Sequence, residues 1–339
     1  MLKFKPKLRV LFLAAKSRYI WLGLLISVFF IILITTMSNR GLVDYTSHAH
    51  ISSIPQKSFH NVDAEALFAK LLTPPAASIN PSVKILCYIL LSRSKVRTAM
   101  LIKETWGSHC DKLLFFGGYE YPELPVTFIN ATEGYENLWG KAKAALLYLL
   151  KNPYFKEYQY FLKADDDTFV IVENLREFIH NSSLSLDKPV WFGFKLKHKR
   201  MQQGYMSGGA GYVFNYAALT RVGTFLSKSS QQVYNAIGDC NVDSEYGVED
   251  LELGKCFLHA GVKSINTTDE NGGERFLPLS YDVLLNGAIS SFHWIWGQAW
   301  NRVRTGERCC SVNLISMHEI SPNQLKLLYH LLYKLKINR

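Results

Sequence analysis

The chain has 339 residues, room for one large or two ordinary domains, and 48% of them are apolar, ample for a sizeable core. Its formal charge of +10 first suggests a nucleic-acid partner. The distribution argues against one: residues 1–18 hold Lys3, Lys5, Lys7, Arg9, Lys16 and Arg18 and no acid, the remainder is only mildly basic, and no basic stripe is interleaved with aromatics.

Residues 1–18 read as a cytoplasmic tail. Residues 19–39 (YIWLGLLISVFFIILITTMSN) hold no charge, and as a helix they would span about 31 Å, roughly the hydrocarbon core of a bilayer. The basic flank places the N-terminus in the cytoplasm and the rest across the membrane. The run is long for a cleaved signal peptide and no small-x-small site follows it, so an uncleaved transmembrane signal anchor is expected. Residues 40–81, rich in Ser, His and Pro, read as a stem, and 82–339 as the lumenal domain.

Beyond the stem, apolar runs alternate with helical patterns. Val83–Ser92 reads as a buried strand, Arg97–Gly107 as a helix, KLLFFGG and VTFINA as two further strands, and Glu136–Leu150 as a helix. Tyr158–Leu162 reads as a strand and VENLREFIH as the helix after it. The alternation predicts an α/β fold with a mostly parallel central sheet covered on both faces.

Asp165, Asp166 and Asp167 fall where the Tyr158–Leu162 strand leaves that sheet, the edge at which such folds bind ligands. Three adjacent carboxylates are tolerable there if a hard cation such as Mg²⁺ or Mn²⁺ neutralises them. A solvated acidic turn capping the next helix is the alternative. The strand context and the lumenal address favour the cation.

Downstream, YMSGGAGYV sets Gly208, Gly209 and Gly211 within four positions, a pattern that is neither a dinucleotide fingerprint nor a P-loop. It reads as a close backbone approach to a ligand, or as a tight strand-to-helix bend. The neighbouring Tyr205, Met206 and Tyr212 either line a sugar pocket or simply pack. VEDLELG places Glu249 and Asp250 at a helix start, where acids meet the helix dipole favourably. His318 follows a short apolar segment, LISM.

Six cysteines, Cys87, Cys110, Cys240, Cys256, Cys309 and Cys310, all lie on the expected lumenal side. An even count in an oxidising compartment suggests disulfides, with the connectivity open, and no C-x-x-C pair supports a zinc site. Sequons at Asn130, Asn181 and Asn266 agree with that compartment.

Four blocks together, FLKADDDTFVI (161–171), QGYMSGGAGYVF (203–214), VEDLELGKCF (248–257) and CCSVNLISMH (309–318), resemble the animal core 1 β1,3-galactosyltransferases of glycosyltransferase family 31 in order and rough spacing. The resemblance runs from about Val83 to Leu335. It implies a GT-A-like nucleotide-sugar transferase fold, a Golgi single-pass type II membrane protein, UDP-galactose as donor, Mn²⁺ as cofactor, and inverting transfer to GalNAc on a glycoprotein. A homodimer is left open.

The same resemblance implies Asp250 as the base that takes the acceptor proton, with Glu249 as runner-up, and Asp167 and His318 as metal ligands. Asp165 and Asp166 would then serve the ribose or sugar hydroxyls, and Gly208 and Gly209 would approach the donor. Arg97, Lys103 and Lys141 are candidate diphosphate or uracil contacts, or solvated helix charges. The expected disulfides are Cys87–Cys110, tying the opening strand to the end of the next helix, Cys240–Cys256, stapling a loop to the Asp250 helix, and Cys309–Cys310, with two longer links as the alternative to that vicinal pair.

The segment SSFHWIWGQAWNRVRTGERCC departs from the family pattern. It keeps Trp294, Trp296 and Trp300 as sugar-stacking candidates but lacks the usual prolines and adds Arg302, Arg304 and Arg308. Acceptor identity is therefore less determined than donor or metal. Alternatives are a fringe-like transferase with another sugar or acceptor, and a non-catalytic chaperone-like relative. The intact aspartate triplet argues against the last.

Overall fold

The structure, a computed structural model, describes residues 83–227 and 240–336. The tail, signal anchor and stem expected over 1–18, 19–39 and 40–81 lie outside those residues. Among the described residues no helix is long and apolar enough to cross a membrane.

The first half of the chain alternates as expected: β1 (Ile85–Leu90), α1 (Val96–Glu104), β2 (Lys112–Gly117), β3 (Val126–Phe128), α2 (Leu138–Lys151), β4 (Tyr160–Ala164), β5 (Phe169–Val170) and α3 (Val172–Asn181). Four strands follow, β6 (Val190–Gly193), β7 (Lys195–His198), β8 (Met201–Met206) and β9 (Tyr212–Asn215), then α4 (Tyr216–Leu226) and α5 (Glu249–His259). The remainder comprises β10 (Lys263–Ile265), β11 (Phe276–Leu277), α6 (Tyr281–Asn286), α7 (Ile295–Gln298), β12 (Ser316–Met317) and α8 (Pro322–Tyr329). The helix expected over Arg97–Gly107 ends earlier, at Glu104, and a 3₁₀ turn over Trp106–His109 completes it.

Seven strands form the central sheet in the order β10-β6-β9-β4-β1-β2-β3. All its ladders are parallel except those of β9, which runs antiparallel to both β4 and β6. β1 and β4 are buried at every position, which explains why they read as continuous apolar runs rather than alternating ones. From β1 the chain winds outward through β2 and β3, then returns to lay β4 on the other side of β1. That reversal opens a crevice beyond the carboxyl ends of β1 and β4, where an open α/β sheet offers its ligand site.

β5, β11 and β12 form a small second sheet, and β7 and β8 a separate antiparallel ribbon. α5 lies against that ribbon so closely that a Cβ on Gly254 would fall 2.6 Å from the Tyr205 Cβ. Trp191 of β6 packs edge-on against Phe257 of α5, ring centroids 4.9 Å apart, fixing the helix over the sheet. The disulfides are Cys87–Cys110, Cys240–Cys256 and Cys309–Cys310, as expected.

Candidate active site at the carboxyl edge of the sheet

The aspartates begin one residue after β4 ends. Lys163 is inside the strand, 3% exposed. Its ammonium sits 2.6 Å from Asp165 and 3.4 Å from Glu249, over the Tyr212 ring. Burial works against its charge, but Asp165, Glu249 and Asp250 hold it above the ordinary lysine value. The acidic cluster is thus built around one buried cation.

The three carboxylates have different partners. Asp166 faces Lys95 at 3.5 Å; burial pushes its carboxyl up to about 6, with Lys95 opposing and Asp167 and Asp165 reinforcing the shift. Asp167 lies 3.0 Å from His318 Nε2. Burial opposes both charges of that pair, yet the hydrogen bond and mutual attraction hold Asp167 below its ordinary range and His318 above its own. Ligand atoms of Asp165, Asp167 and His318 all lie within 4.8 Å of one another. Two carboxylate oxygens and one imidazole nitrogen suit a divalent cation that accepts both donor types. The resemblance implies Asp165 at the ribose or the sugar hydroxyls; the structure gathers it with the two expected ligands.

The glycine-rich turn joins β8 to β9, strand to strand, where a strand-to-helix bend was one expectation. β9 continues the apolar run Tyr212–Asn215 before α4 begins, so the bend to a helix comes only after Asn215. The glycines are required by proximity. A Cβ on Gly209 would fall 2.7 Å from His318 Nε2, and one on Gly208 3.0 Å from a Glu249 oxygen and 3.2 Å from Lys163 Nζ. Gly211 adds a positive φ of 77°, which lets the turn close.

α5 starts with the acid pair, as expected. Glu249 is turned inward, accepting from the Tyr212 hydroxyl and pairing with Lys163. Asp250 stays partly exposed: one oxygen accepts from the Gly208 N–H at 2.9 Å and the other from Leu251 N–H at 2.7 Å. Each oxygen keeps a lone pair for a further donor. Burial and then the Glu249 charge push its carboxyl up to about 6, against the Gly208 hydrogen bond. Of the two acids, Asp250 is the one a substrate hydroxyl can reach.

The basic candidates separate by position. Lys103, in the last turn of α1, is exposed and carried toward the opposite edge of the sheet, because α1 runs from the carboxyl end of β1 back to the start of β2. Arg97 is exposed in the first turn, and the preceding Lys95 makes the contact to Asp166. Lys141 is buried; its ammonium pairs with Glu133 at 2.9 Å and donates to the Leu91 carbonyl, so it ties the loops after β1 and β3 together. Sequence reasoning missed Lys163, Lys95 and Tyr119, whose buried hydroxyl has no hydrogen-bond partner and whose ring lies under Arg93 at 5.5 Å. A lysine inside an otherwise apolar strand was the available signal for the first.

Trp294, Trp296 and Trp300 are partly exposed. One face of Trp300 is covered by the Lys195 ammonium, 4.0 Å from the ring centroid, and the His293 ring lies 5.3 Å from that of Trp294.

Residues 126–268 match the Galactosyltransferase family, a span that holds the aspartates, the glycine turn and the start of α5. The chain is 32% identical over 262 residues to glycoprotein-N-acetylgalactosamine 3-beta-galactosyltransferase 1 of Xenopus laevis, covering 76% of this chain and 68% of that one. It is 24% identical over 155 residues to chondroitin sulfate synthase 3 of Homo sapiens, covering 42% of this chain and 16% of the synthase. Among solved structures, a glycosyltransferase involved in the glycosylation of the major capsid of PBCV-1 aligns at 14% identity over 42% of this chain and 65% of that one, with a TM-score of 0.27. The extent and identity of the match to the Xenopus protein, with the family match over the site, establish that the chain belongs to the galactosyltransferase family, glycosyltransferase family 31.

Proposed function

We propose that the chain is an inverting, Mn²⁺-dependent β1,3-galactosyltransferase that moves galactose from UDP-galactose to the 3-hydroxyl of GalNAc-α-Ser/Thr on glycoproteins. The observation that carries this reading is the convergence of Asp165, Asp167 and His318 with Asp250 about the Gly208–Gly209 turn. We place it as a Golgi type II membrane protein held by residues 19–39, with 82–339 catalytic and the GT-A-like fold of that class.

Asp165, Asp167 and His318 are the residues that would hold Mn²⁺, which when bound offsets diphosphate charge and eases departure of UDP. The protein's own groups do the rest. Asp250 accepts the proton of the acceptor hydroxyl as its oxygen bonds to the galactose anomeric carbon, while the bond from that carbon to the diphosphate breaks and UDP leaves on the opposite face. Gly208 N–H orients the carboxylate, and Lys163 balances the acids behind it without facing the substrate. Lys95, paired with Asp166, and Arg93, which lies over the Tyr119 ring, are the cations we assign to the donor diphosphate.

A donor screen on the purified full chain tests the reading. UDP release is expected with UDP-galactose plus a GalNAc-α-peptide and Mn²⁺, and not with other UDP-sugars. A preference for UDP-N-acetylglucosamine would favour the fringe-like alternative, and no release with any donor the non-catalytic one.

A further inference from the structure

We propose that Lys195 and Trp300 form a carboxylate-reading edge of the acceptor site, so that GalNAc-bearing peptides with aspartate or glutamate beside the glycosylated residue are preferred acceptors. The inference rests on the reading above that the acceptor is a glycosylated peptide.

Lys195 is held in place on both sides. Its carbonyl accepts the Trp300 N–H at 2.9 Å, the adjoining Leu196 bridges to Ala299, and its ammonium stacks on the Trp300 ring. Burial lowers its pKa, and no neighbouring charge offsets that burial. Among the described residues it forms no ion pair, in contrast to Lys95, Lys141 and Lys163, each of which faces a carboxylate. A part-buried ammonium without a counterion carries a desolvation cost that an incoming anion would relieve.

Its position relates it to the transfer site. Lys195 pairs with Met206 across the ribbon, and Ser207 N–H donates to the Phe194 carbonyl. Lys195 is therefore about two residues, or ~7 Å along the strand, from Gly208, whose N–H holds Asp250. In the proposed arrangement a peptide whose sugar hydroxyl is at Asp250 runs past the end of this ribbon. The face that bears Tyr205 is closed by α5, whose Gly254 admits no side chain. The other face bears Lys195 and Trp300, and α7, which carries the exposed Trp296, packs against β7.

The ribbon and the segment packed on it carry one sign of charge: residues 188–227 and 283–306 contain no aspartate or glutamate, and the nearby Glu274 is buried against Asn301. They contribute exposed Lys197, Lys199, Arg200 and Arg302 on the hairpin and on the segment that packs against it. An acidic peptide flank complements that face, and a lysine-rich one is repelled by it.

The test compares two GalNAc-glycopeptides that differ only in Asp against Asn at the flanking positions, using the full chain. KM for the acidic peptide is expected to be lower by roughly fivefold, the scale of one incompletely desolvated ion pair, and the gap to shrink with added salt. Lys195→Gln should bring the ratio near one, Lys195→Arg should restore it, and Lys103→Gln at the far edge should leave it intact. Calorimetric binding of the same peptides gives a readout that needs no turnover. If neither peptide is galactosylated the functional reading fails, and preferential binding of the acidic peptide would still sustain the anion edge. Equal KM and equal affinity in the wild type, or an unchanged ratio in Lys195→Gln, would overturn the proposal. Tighter binding of a hexuronate-bearing saccharide than of the acidic peptide would overturn the assignment of the carboxylate to the peptide.

Discussion

His318 Nε2 lies 3.0 Å from Asp167 Oδ1, joining a residue just past β12 to one just past β4. Each partner shifts the other toward its charged form against the pull of burial. The histidine's share of that stability is complete below the ordinary imidazole value and is lost as pH rises through its raised one. The aspartate's share is present above the ordinary carboxylate value and is lost as pH falls through its depressed one. Asp167→Ala should abolish Mn²⁺-dependent UDP binding while changing stability by about 1 kcal/mol or less, because the Asp167 side chain is 38% exposed. Unaltered UDP–Mn²⁺ affinity by calorimetry would move the cation elsewhere.

Gly209→Ala probes the same histidine without touching its chemistry. The added methyl would press on the His318 ring, whose position is also set by a contact to the Pro278 carbonyl. Overpacking of this kind costs about 1–3 kcal/mol. Cation affinity should fall at least as much as stability, since the displaced ring is one of the three residues proposed to hold the cation. A variant with normal Mn²⁺ titration and normal melting would show that the close approach is not needed.

Lys163→Met tests the buried cation. Glu249 is 7% exposed and would lose its nearest positive charge, a change that costs about 3–5 kcal/mol for a buried pair broken on one side. Adding Glu249→Gln should recover a good part of that loss. Denaturant titration of the two variants decides. A single variant as stable as the wild type would mean that the acids are already balanced by solvent.

Much of this site could be read from the residues alone. The apolar run into Asp165–Asp167 and the acid pair opening α5 each carry a local signature, and both fall where expected. Other parts depend on which elements meet. Nothing near Lys163 in sequence says that Glu249 will lie beside it, because β4 and α5 become neighbours only through the antiparallel insertion of β9. Strand direction leaves no mark in hydrophobic periodicity, so the reversed course of β9 is not legible in its residues. Lys103 and Lys141 look alike as helix cations. Their fates differ because helix direction decides which edge of the sheet a residue reaches, and burial decides whether its charge is available.

Asp250→Asn separates catalysis from helix capping. The residue at the N-cap position is Val248, and Asp250 sits one residue into the helix with its carboxylate on Gly208 and Leu251. If Asp250 is the base, the amide keeps the shape and loses the proton acceptor, and turnover should fall by roughly two to four orders of magnitude. Donor affinity should barely change, because on the proposed reading Asp250 faces the acceptor and the cation holds the UDP. Wild-type turnover should show an acid limb near the value of about 6 to which burial and Glu249 raise this carboxyl. Stability runs the other way with pH. A raised carboxyl means that the folded state binds the proton more tightly, so its contribution is full below the ordinary carboxylate value and declines as pH rises through about 6. The asparagine, neutral throughout, should remove that decline and melt no lower than the wild type above neutrality. Near-normal turnover at saturating UDP-galactose would shift the role to Glu249, in spite of its inward orientation. A large drop in melting temperature would mean that the carboxylate serves the fold, through Gly208, rather than the acceptor.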